Sequence, residues 1–224
     1  MNIGIIGTGL MGRALGVGWA RAGHRVLFGS RDLEKARAAA ASAPAGSAQA
    51  GDTDAAAAFG EVVVYTVRDL LPSRLLREPG ALAGKIVVDL NNRDVGNDEG
   101  RPTAPVFAPP RPGPSLAEKI AADAPGARVV KAFNTLPFKV LELERAVLEP
   151  HRVSVFVCGD DPAARSAVKG LAGDLGLVGV DSGALANAWM LESVADFIRL
   201  QIGAMGLGMF ATISVHVLPK GGAR

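Results

Sequence analysis

Three glycines near the start of the chain have the spacing used by phosphate-binding turns. Gly7, Gly9 and Gly12 follow the apolar run NIGIIG and precede a stretch with helical periodicity. In such a unit the first glycine permits a tight turn, the second lets the backbone approach a pyrophosphate, and the third lets the helix pack on the strand. The N–H groups at the start of the helix then face the anion. The spacing predicts a dinucleotide site, and a glycine-rich turn without a ligand is the alternative.

The end of the second strand distinguishes the two nicotinamide dinucleotides. NAD sites usually place a carboxylate there, which accepts hydrogen bonds from the ribose 2′-hydroxyl. Here the strand ends in Gly29 and continues into Ser30 and Arg31, with Lys35 one helical turn later. A guanidinium can hold a 2′-phosphate with two hydrogen bonds, whereas a carboxylate would repel it. We therefore expect NADP(H) and expect Asp32 to cap the next helix. The alternatives are that Asp32 serves as the NAD acid, or that the cations are ordinary surface residues.

The remaining reactive side chains form no pattern that predicts a nucleophile or a metal site. His24, His151 and His216 have neither metal-ligand spacing nor a paired nucleophile. We expect His24 to lie in a surface turn and His216 to be structural, in the last helix. Cys158 is the single cysteine, which excludes an intramolecular disulfide, and its apolar neighbours indicate a small core residue.

Three acidic residues lie near predicted strand ends. Asp160 and Asp161 precede a helical stretch, so they are predicted to cap it, with substrate contact as the alternative. Asp181 closes the last predicted strand, where a cofactor contact and a capping role are both open. None of the three is required for direct hydride transfer, which needs two rings held in contact in a dry cleft.

Apolar runs of strand length alternate with helical stretches along the chain. This alternation predicts an α/β fold, a Rossmann-like doubly wound parallel sheet. We expect a nucleotide-binding domain over residues 1–183 and a C-terminal helical region over 184–224, helical to about Leu218. Residues 93–114 are rich in proline and glycine and are predicted to form one long loop.

Large apolar residues recur at roughly helical spacing near the C-terminus. They are Met190, Phe197, Met205, Met209 and Phe210. No strand follows that they could cover, so we expect a homodimer through the C-terminal helices, or an apolar platform for a flat aromatic acceptor. The two interpretations are compatible if the cleft lies at the subunit boundary.

Composition and charge exclude several classes of partner. The chain has 224 residues, 49% of them hydrophobic, and a formal charge of +2 without a basic run, so we expect no nucleic-acid binding. The apolar C-terminal stretch contains Arg199 and Gln201, and therefore is not predicted to enter a membrane. The N-terminus does not have the order of a signal peptide, and one cysteine suits a reducing compartment, so we expect a cytoplasmic protein with a small-molecule substrate.

Five sequence blocks, in order along the chain, resemble a known family. They are IGIIGTGLMG at the start, GSRDLEKA at the predicted phosphate corner, VVKAFNTL at 129–136, VFVCGDDPAARSAV at 155–168 and DSGALANAWMLES at 181–193. The chain resembles the F-420-dependent NADP oxidoreductases, also called NADPH-dependent F-420 reductases, to which the reductase domain of the STEAP ferric reductases is related. Coenzyme F-420 is a 5-deazaflavin.

The resemblance implies hydride transfer between NADPH and a deazaflavin, and it implies roles for particular residues. Besides the glycines, those implied to hold NADP(H) are Thr8, Leu10, Met11, Ser30, Arg31, Lys35, Val67, Asn91 and Asn92. Those implied to border the acceptor cleft are Asn134, Thr135, Ala184 and Leu185, with Asn134 as the candidate that orients the rings. The alternatives are reduction of a different carbonyl, imine or flavin acceptor, or an NADPH-binding sensor without catalysis.

Overall fold

The computed structural model describes residues 1–68, 70–92 and 113–218. Its centre is an eight-stranded sheet of order β3-β2-β1-β4-β5-β6-β7-β8. The strands are β1 Asn2–Ile6, β2 Arg25–Gly29, β3 Ala48–Gly51, β4 Val62–Tyr65, β5 Ile86–Asp89, β6 Arg128–Lys131, β7 Ser154–Gly159 and β8 Val178–Asp181. This is the predicted Rossmann-like α/β fold. The predicted loop lies outside the described residues except at positions 113 and 114.

Helices cover both faces of this sheet. They are α1 Leu10–Arg21, α2 Leu33–Ala41, α3 Thr53–Phe59, α4 Pro72–Leu75, α5 Leu116–Asp123, α6 Phe138–Leu141, α7 Arg145–Leu148, α8 Pro162–Asp174 and α9 Ala188–Ile202. Several begin at a side-chain cap. The Asp32 carboxylate accepts the backbone N–H of Glu34 at 3.0 Å, as predicted, and Ser115 forms a capping box with Glu118.

Two features of the sheet differ from the sequence prediction. The pairing of β6 with β7 is antiparallel, while the other strand pairs are parallel. The segment that contains β3 was predicted as a loose connection. Its short strand, AQAG, lies at the edge of the sheet and buries no side chain fully, so it has no apolar pattern from which a strand could be predicted.

The C-terminal region is helical over a shorter range than predicted. Helix α9 ends at Ile202, and residues 203–218 form turns and irregular chain. Gly206 and Gly208 have φ values of 73° and 75°, a conformation that does not continue a right-handed helix. Met205, Met209, Phe210 and His216 therefore lie outside any helix, contrary to the prediction. In the described residues, no helix is long and apolar enough to cross a membrane.

Apolar side chains fill the space on each face of the sheet. One cluster includes Trp19 of α1, whose ring meets Phe133 edge-on at 5.6 Å and whose indole N–H donates to the carbonyl of Leu171 at 2.9 Å. The other includes Ala188 and Leu191 of α9. Helix α9 therefore packs on the same core as the strands.

Candidate active site

The turn between β1 and α1 has the geometry predicted for a phosphate-binding loop. Gly7 has φ of 103°, and a Cβ there would lie 2.3 Å from the Thr66 hydroxyl oxygen. A Cβ on Gly12 would lie 2.2 Å from the Gly7 carbonyl oxygen. A Cβ on Gly9 would meet nothing within 4 Å. Gly7 and Gly12 are thus required by the fold, whereas Gly9 leaves open space beside the turn.

The start of α1 borders this space. Gly9 is its N-cap and brings no side chain to accept from the first N–H groups of the helix. Thr8 lies in the turn, and Leu10 and Met11 form the first helical turn. The backbone donors and the space beside Gly9 together fit a pyrophosphate.

The corner after β2 carries cations on the surface. The Ser30 hydroxyl accepts the backbone N–H of Asp32 at 3.2 Å, and the Lys35 ammonium lies 3.7 Å from the Asp32 carboxylate. Arg31 is exposed and forms no ion pair within the described part of the chain. Since Asp32 is engaged as a helix cap, the corner offers an unpaired guanidinium and a hydroxyl, which fit a ribose 2′-phosphate.

A cavity of about 380 Å³ opens between the glycine turn and the carboxyl ends of β4, β5 and β6. Its lining includes residues predicted for the site, namely Gly9, Leu10, Met11, Gly12, Asn91, Asn92, Asn134 and Thr135. Met209, one of the apolar residues predicted for an acceptor platform or a dimer interface, also lines it. The remaining lining residues were not among the predicted site residues: Thr66, Arg68, Leu90, Leu136, Pro137, Phe138, Ile198 and Arg199. Val67 lines a neighbouring cavity of about 260 Å³ that shares Asn91 and Asn92. The cavity thus joins the nucleotide turn to α9.

Two asparagine side chains are locked together in this cavity. The Asn134 amide donates to the Asn92 side-chain oxygen at 2.8 Å and to the Leu191 carbonyl at 2.9 Å. The Asn92 amide in turn donates to the Asn134 carbonyl at 2.7 Å. Because both donors of Asn134 are used, its amide has one fixed orientation.

Ala184 and Leu185 lie away from this cavity, so their predicted place beside the acceptor cleft stays a prediction. Neither lines the cavity, and the Leu185 N–H donates to the Asp160 carboxylate at 2.9 Å. The neighbouring Asp161 lies 3.7 Å from Arg128, at the beginning of β6. Because β7 runs antiparallel to β6, the residues that follow it lie at the opposite edge of the sheet from the cavity. It is the far end of α9, with Ile198 and Arg199, that reaches the cleft.

This geometry agrees with the comparisons to known proteins. Residues 2–93 match the sequence profile of the family described as NADP oxidoreductase, coenzyme F420-dependent. A solved structure of a candidate F-420-dependent NADP reductase from Arthrobacter sp. FB24 is 29% identical, covers 96% of this chain and all of its own, and superposes with a TM-score of 0.74. The chain is therefore similar to this family, over residues 2–93 by the profile and over nearly its whole length by the solved structure.

Two further relatives show how far the similarity extends. The metalloreductase STEAP3 of Rattus norvegicus is 30% identical over 86% of this chain, but the chain spans only 36% of that protein's length. An imine reductase from Bacillus cereus BAG3X2 is 18% identical, with a TM-score of 0.64 over 92% of this chain and 62% of its own, and shares the fold. The predicted resemblance is confirmed, and an NADP-dependent oxidoreductase is the activity class that the family supports.

Two of the reactive side chains outside this cavity have structural roles. The His24 ring bonds the Asp174 carboxylate at 2.9 Å, so His24 ties the turn after α1 to α8. Cys158 is buried and free, and burial raises the pKa of its thiol to about 12. His151 is exposed.

The acidic residues near β7 and β8 also act structurally. Asp161 caps α8, and the N–H groups of Ala164 and Ala163 hold the pKa of its carboxyl below the ordinary value. Asp181 accepts from the Gly183 N–H and pairs with Arg165 at 3.1 Å, which lowers its pKa. These contacts confirm the predicted cap at Asp161. Asp181 is not among the described residues that line the cavity, and its cofactor contact stays a prediction.

A larger cavity, of about 630 Å³, lies on the outer side of α1. Its lining includes Arg13, Arg21, Glu142 and Asp174, and none of the residues predicted for nucleotide or acceptor binding. The smaller cavity at the strand ends is therefore the candidate site, because it contains the glycine turn.

Sequence reasoning missed a group of buried charges below the candidate site. The Lys131 ammonium lies within hydrogen-bond distance of the carboxylates of both Asp89 and Glu192, and the three side chains are no more than 2% exposed. Two features of the sequence could have predicted this group. One is the lysine inside the apolar strand of VVKAFNTL, and the other is the glutamate among the apolar residues of α9. Charged residues in such positions are almost never buried unless they are paired.

Proposed function

We propose that this protein is an NADPH-dependent reductase that passes a hydride to a flat conjugated acceptor, with the deazaflavin F-420 as its substrate. The observation that carries the proposal is the cavity at the strand ends, which combines a phosphate turn with a ring-sized space. The similarity to F420-dependent NADP oxidoreductases supports the same class of reaction. We also infer a cytoplasmic location, since the single buried thiol needs no oxidising compartment.

The residues of the adenosine end would bind the nucleotide by charge and backbone donors. The first N–H groups of α1 would hold the pyrophosphate beside Gly9, and Arg31 and Ser30 would hold the 2′-phosphate. Lys35 would add a point charge, weakened by its proximity to Asp32. Val67, two residues beyond β4, lines the neighbouring cavity with Asn91 and Asn92 and would lie near the ribose and nicotinamide.

The residues of the other end would orient the rings. NADPH, when bound, supplies the hydride. Asn91, Asn92 and Asn134 would present fixed polar groups to its nicotinamide, with Thr135 beside them. The apolar side chains of Leu136, Ile198 and Met209 would exclude water from the second ring.

The composition of the cavity lining favours an acceptor that needs no acid from the protein. Among the described residues that line it there is no His, Cys, Lys, Asp or Glu. A ketone that receives a hydride becomes an alkoxide and requires a proton donor at once. A deazaflavin spreads the added charge over its conjugated ring, so positioning alone is sufficient. This difference favours the deazaflavin over a small carbonyl compound.

Stopped-flow absorbance tests the proposal. NADPH is mixed with enzyme and oxidised F-420 and, in parallel, with FMN, FAD, a cyclic imine and a ketone. We expect loss of the deazaflavin absorbance in step with NADPH oxidation. If the imine or the ketone oxidises NADPH and F-420 does not, the acceptor belongs to that class of compound instead. NADPH binding without oxidation by any acceptor would favour a sensor.

We further propose that the chain forms a homodimer through its C-terminal region. Nine of the large apolar residues that are exposed in the described chain lie between residues 190 and 218: Met190, Phe197, Met205, Leu207, Met209, Phe210, Val215, Val217 and Leu218. Such a concentration of exposed apolar surface is typical of a subunit interface, and a second copy would bury the same surface on both chains. Light scattering after gel filtration should give twice the chain mass, and Phe197→Asp should give a monomer. A monomeric wild-type protein would contradict the interface.

A further inference from the structure

The buried ammonium of Lys131 contacts three groups, which belong to β5, to the chain that follows β5, and to α9. Its Nζ lies 2.8 Å from the Asp89 carboxylate and 3.0 Å from the Glu192 carboxylate, and it also donates to the Asn91 carbonyl. All three of its donors are therefore used, at a site without exposure to solvent.

One side of this network fixes Asn91, which lines the cavity. The Asp89 oxygen that does not face Lys131 accepts both the backbone N–H of Asn91 at 3.0 Å and its side-chain amide at 2.9 Å. That amide also contacts the Tyr65 carbonyl at 3.3 Å. Lys131 thus holds Asn91 directly through its carbonyl and indirectly through Asp89.

The other side of the network fixes α9. The Glu192 oxygen that faces Lys131 also accepts the N–H of Leu116, at the start of α5, at 2.9 Å. The preceding residue, Leu191, accepts the Asn134 amide. Farther along the same helix, Ile198 and Arg199 line the cavity. Lys131 therefore links both walls of the cleft.

Stability alone does not explain such a network. Replacing a buried ion pair by apolar residues of similar volume is often neutral or stabilising. On the basis of the function proposed above, we propose that Lys131 is a positioning residue. It sets the distance between Asn91 and the α9 wall of the cleft, and so aligns the nicotinamide ring with the acceptor ring.

The test separates ring alignment from nucleotide binding. In Lys131→Met, we expect the single-turnover rate of hydride transfer to fall at least tenfold. The dissociation constant of 2′,5′-ADP, a probe that fills only the adenosine end, should stay within twofold of wild type. Glu192→Gln keeps the shape of the side chain. It should give a smaller fall in the single-turnover rate, again without a change in 2′,5′-ADP binding. Arg165→Met, which removes an ion pair at the opposite edge, is the matched control and should leave the rate unchanged.

Equal losses in rate and in 2′,5′-ADP binding, or an unchanged rate in a folded Lys131→Met protein, would overturn the proposal. If Lys131→Met does not fold, Glu192→Gln decides by the same two measurements. A second readout uses the nucleotide-free protein, in which the side-chain amide NMR signals of Asn91 and Asn134 should shift in Lys131→Met and not in Arg165→Met. Unshifted signals would contradict the proposal. Failure of the wild-type protein to bind 2′,5′-ADP or NADPH would instead contradict the proposed function, and the NMR signals would then test the positioning role alone.

Discussion

The two ends of the nucleotide site are built in different ways. At the adenosine end, the recognition groups are backbone N–H groups and exposed side chains such as Arg31, which has no ion pair in the described chain. At the ring end, Asn91 and Asn134 are buried and have fixed hydrogen-bond partners, and the charges of Lys131, Asp89 and Glu192 lie behind them.

Because of this difference, we expect the adenosine end to set the affinity for the nucleotide and the ring end to set the alignment of the two rings. An exposed charge contributes little to folding, so its removal should change nucleotide binding and leave the fold intact. A buried, paired charge cannot be removed alone without leaving its partner unpaired, which costs about 3–5 kcal/mol. The adenosine end is therefore open to change by substitution, whereas the ring end is part of the core.

The largest expected effect is on folding, at Gly12. The side chain in Gly12→Val would clash with the Gly7 carbonyl, because a Cβ there lies 2.2 Å from that oxygen. We expect a loss of about 3 kcal/mol or more in the free energy of unfolding, measured by urea denaturation. A variant as stable as wild type would show that the turn is not packed as described.

Gly9→Val should separate folding from binding. A Cβ at Gly9 meets nothing within 4 Å, and its backbone is extended, so the variant should lose no more than about 1 kcal/mol of stability. Its side chain would occupy the space assigned to the pyrophosphate. We expect NADPH affinity to fall about a hundredfold by calorimetry, because the backbone donors of α1 would be blocked. Wild-type affinity would place the nucleotide elsewhere.

Arg31→Ala should weaken NADPH binding by about ten- to a hundredfold, since a hydrogen bond to a charged group is worth about 1.5–3 kcal/mol. NADH binding should change less than threefold because NADH has no 2′-phosphate. Arg37→Ala is the control, because Arg37 is exposed on the next helix and pairs with Glu34. Equal losses for the two nucleotides would contradict the role of Arg31.

The smallest expected effect concerns alkaline pH. Burial raises the pKa of Cys158 to about 12 in the folded protein, from about 9 in the unfolded chain. Between these values the unfolded chain loses a proton that the folded protein keeps, so the free energy of unfolding falls as pH rises. Urea denaturation from pH 8 to 10.5 should show this fall, and Cys158→Ala should make it shallower. An identical slope in both proteins would show that the thiol does not contribute.

Much of the adenosine end was predictable because its determinants are close together in sequence. The glycine spacing, the missing carboxylate and the Asp32 cap all lie within residues 7–35, in one β–α–β unit. In such a unit, the residues that form the motif also form the turn that binds the phosphates, so the motif alone predicts the structure.

The ring end was less predictable because its partners are distant in sequence. Lys131 meets Asp89 and Glu192 across separations of 42 and 61 residues. The direction of β7 also left no local signal, since a buried strand has the same apolar pattern in either direction. That direction decides which edge of the sheet Ala184 and Leu185 occupy, and it could not be predicted from the sequence near them.

The most direct test of the central claim is the affinity of the wild-type protein for NADPH and for NADH, measured by isothermal titration calorimetry. We expect one nucleotide per chain and a dissociation constant at least tenfold lower for NADPH than for NADH. Equal affinities, or tighter binding of NADH, would contradict the assignment of Arg31 and Ser30 to a 2′-phosphate. Binding of neither nucleotide would contradict the site itself.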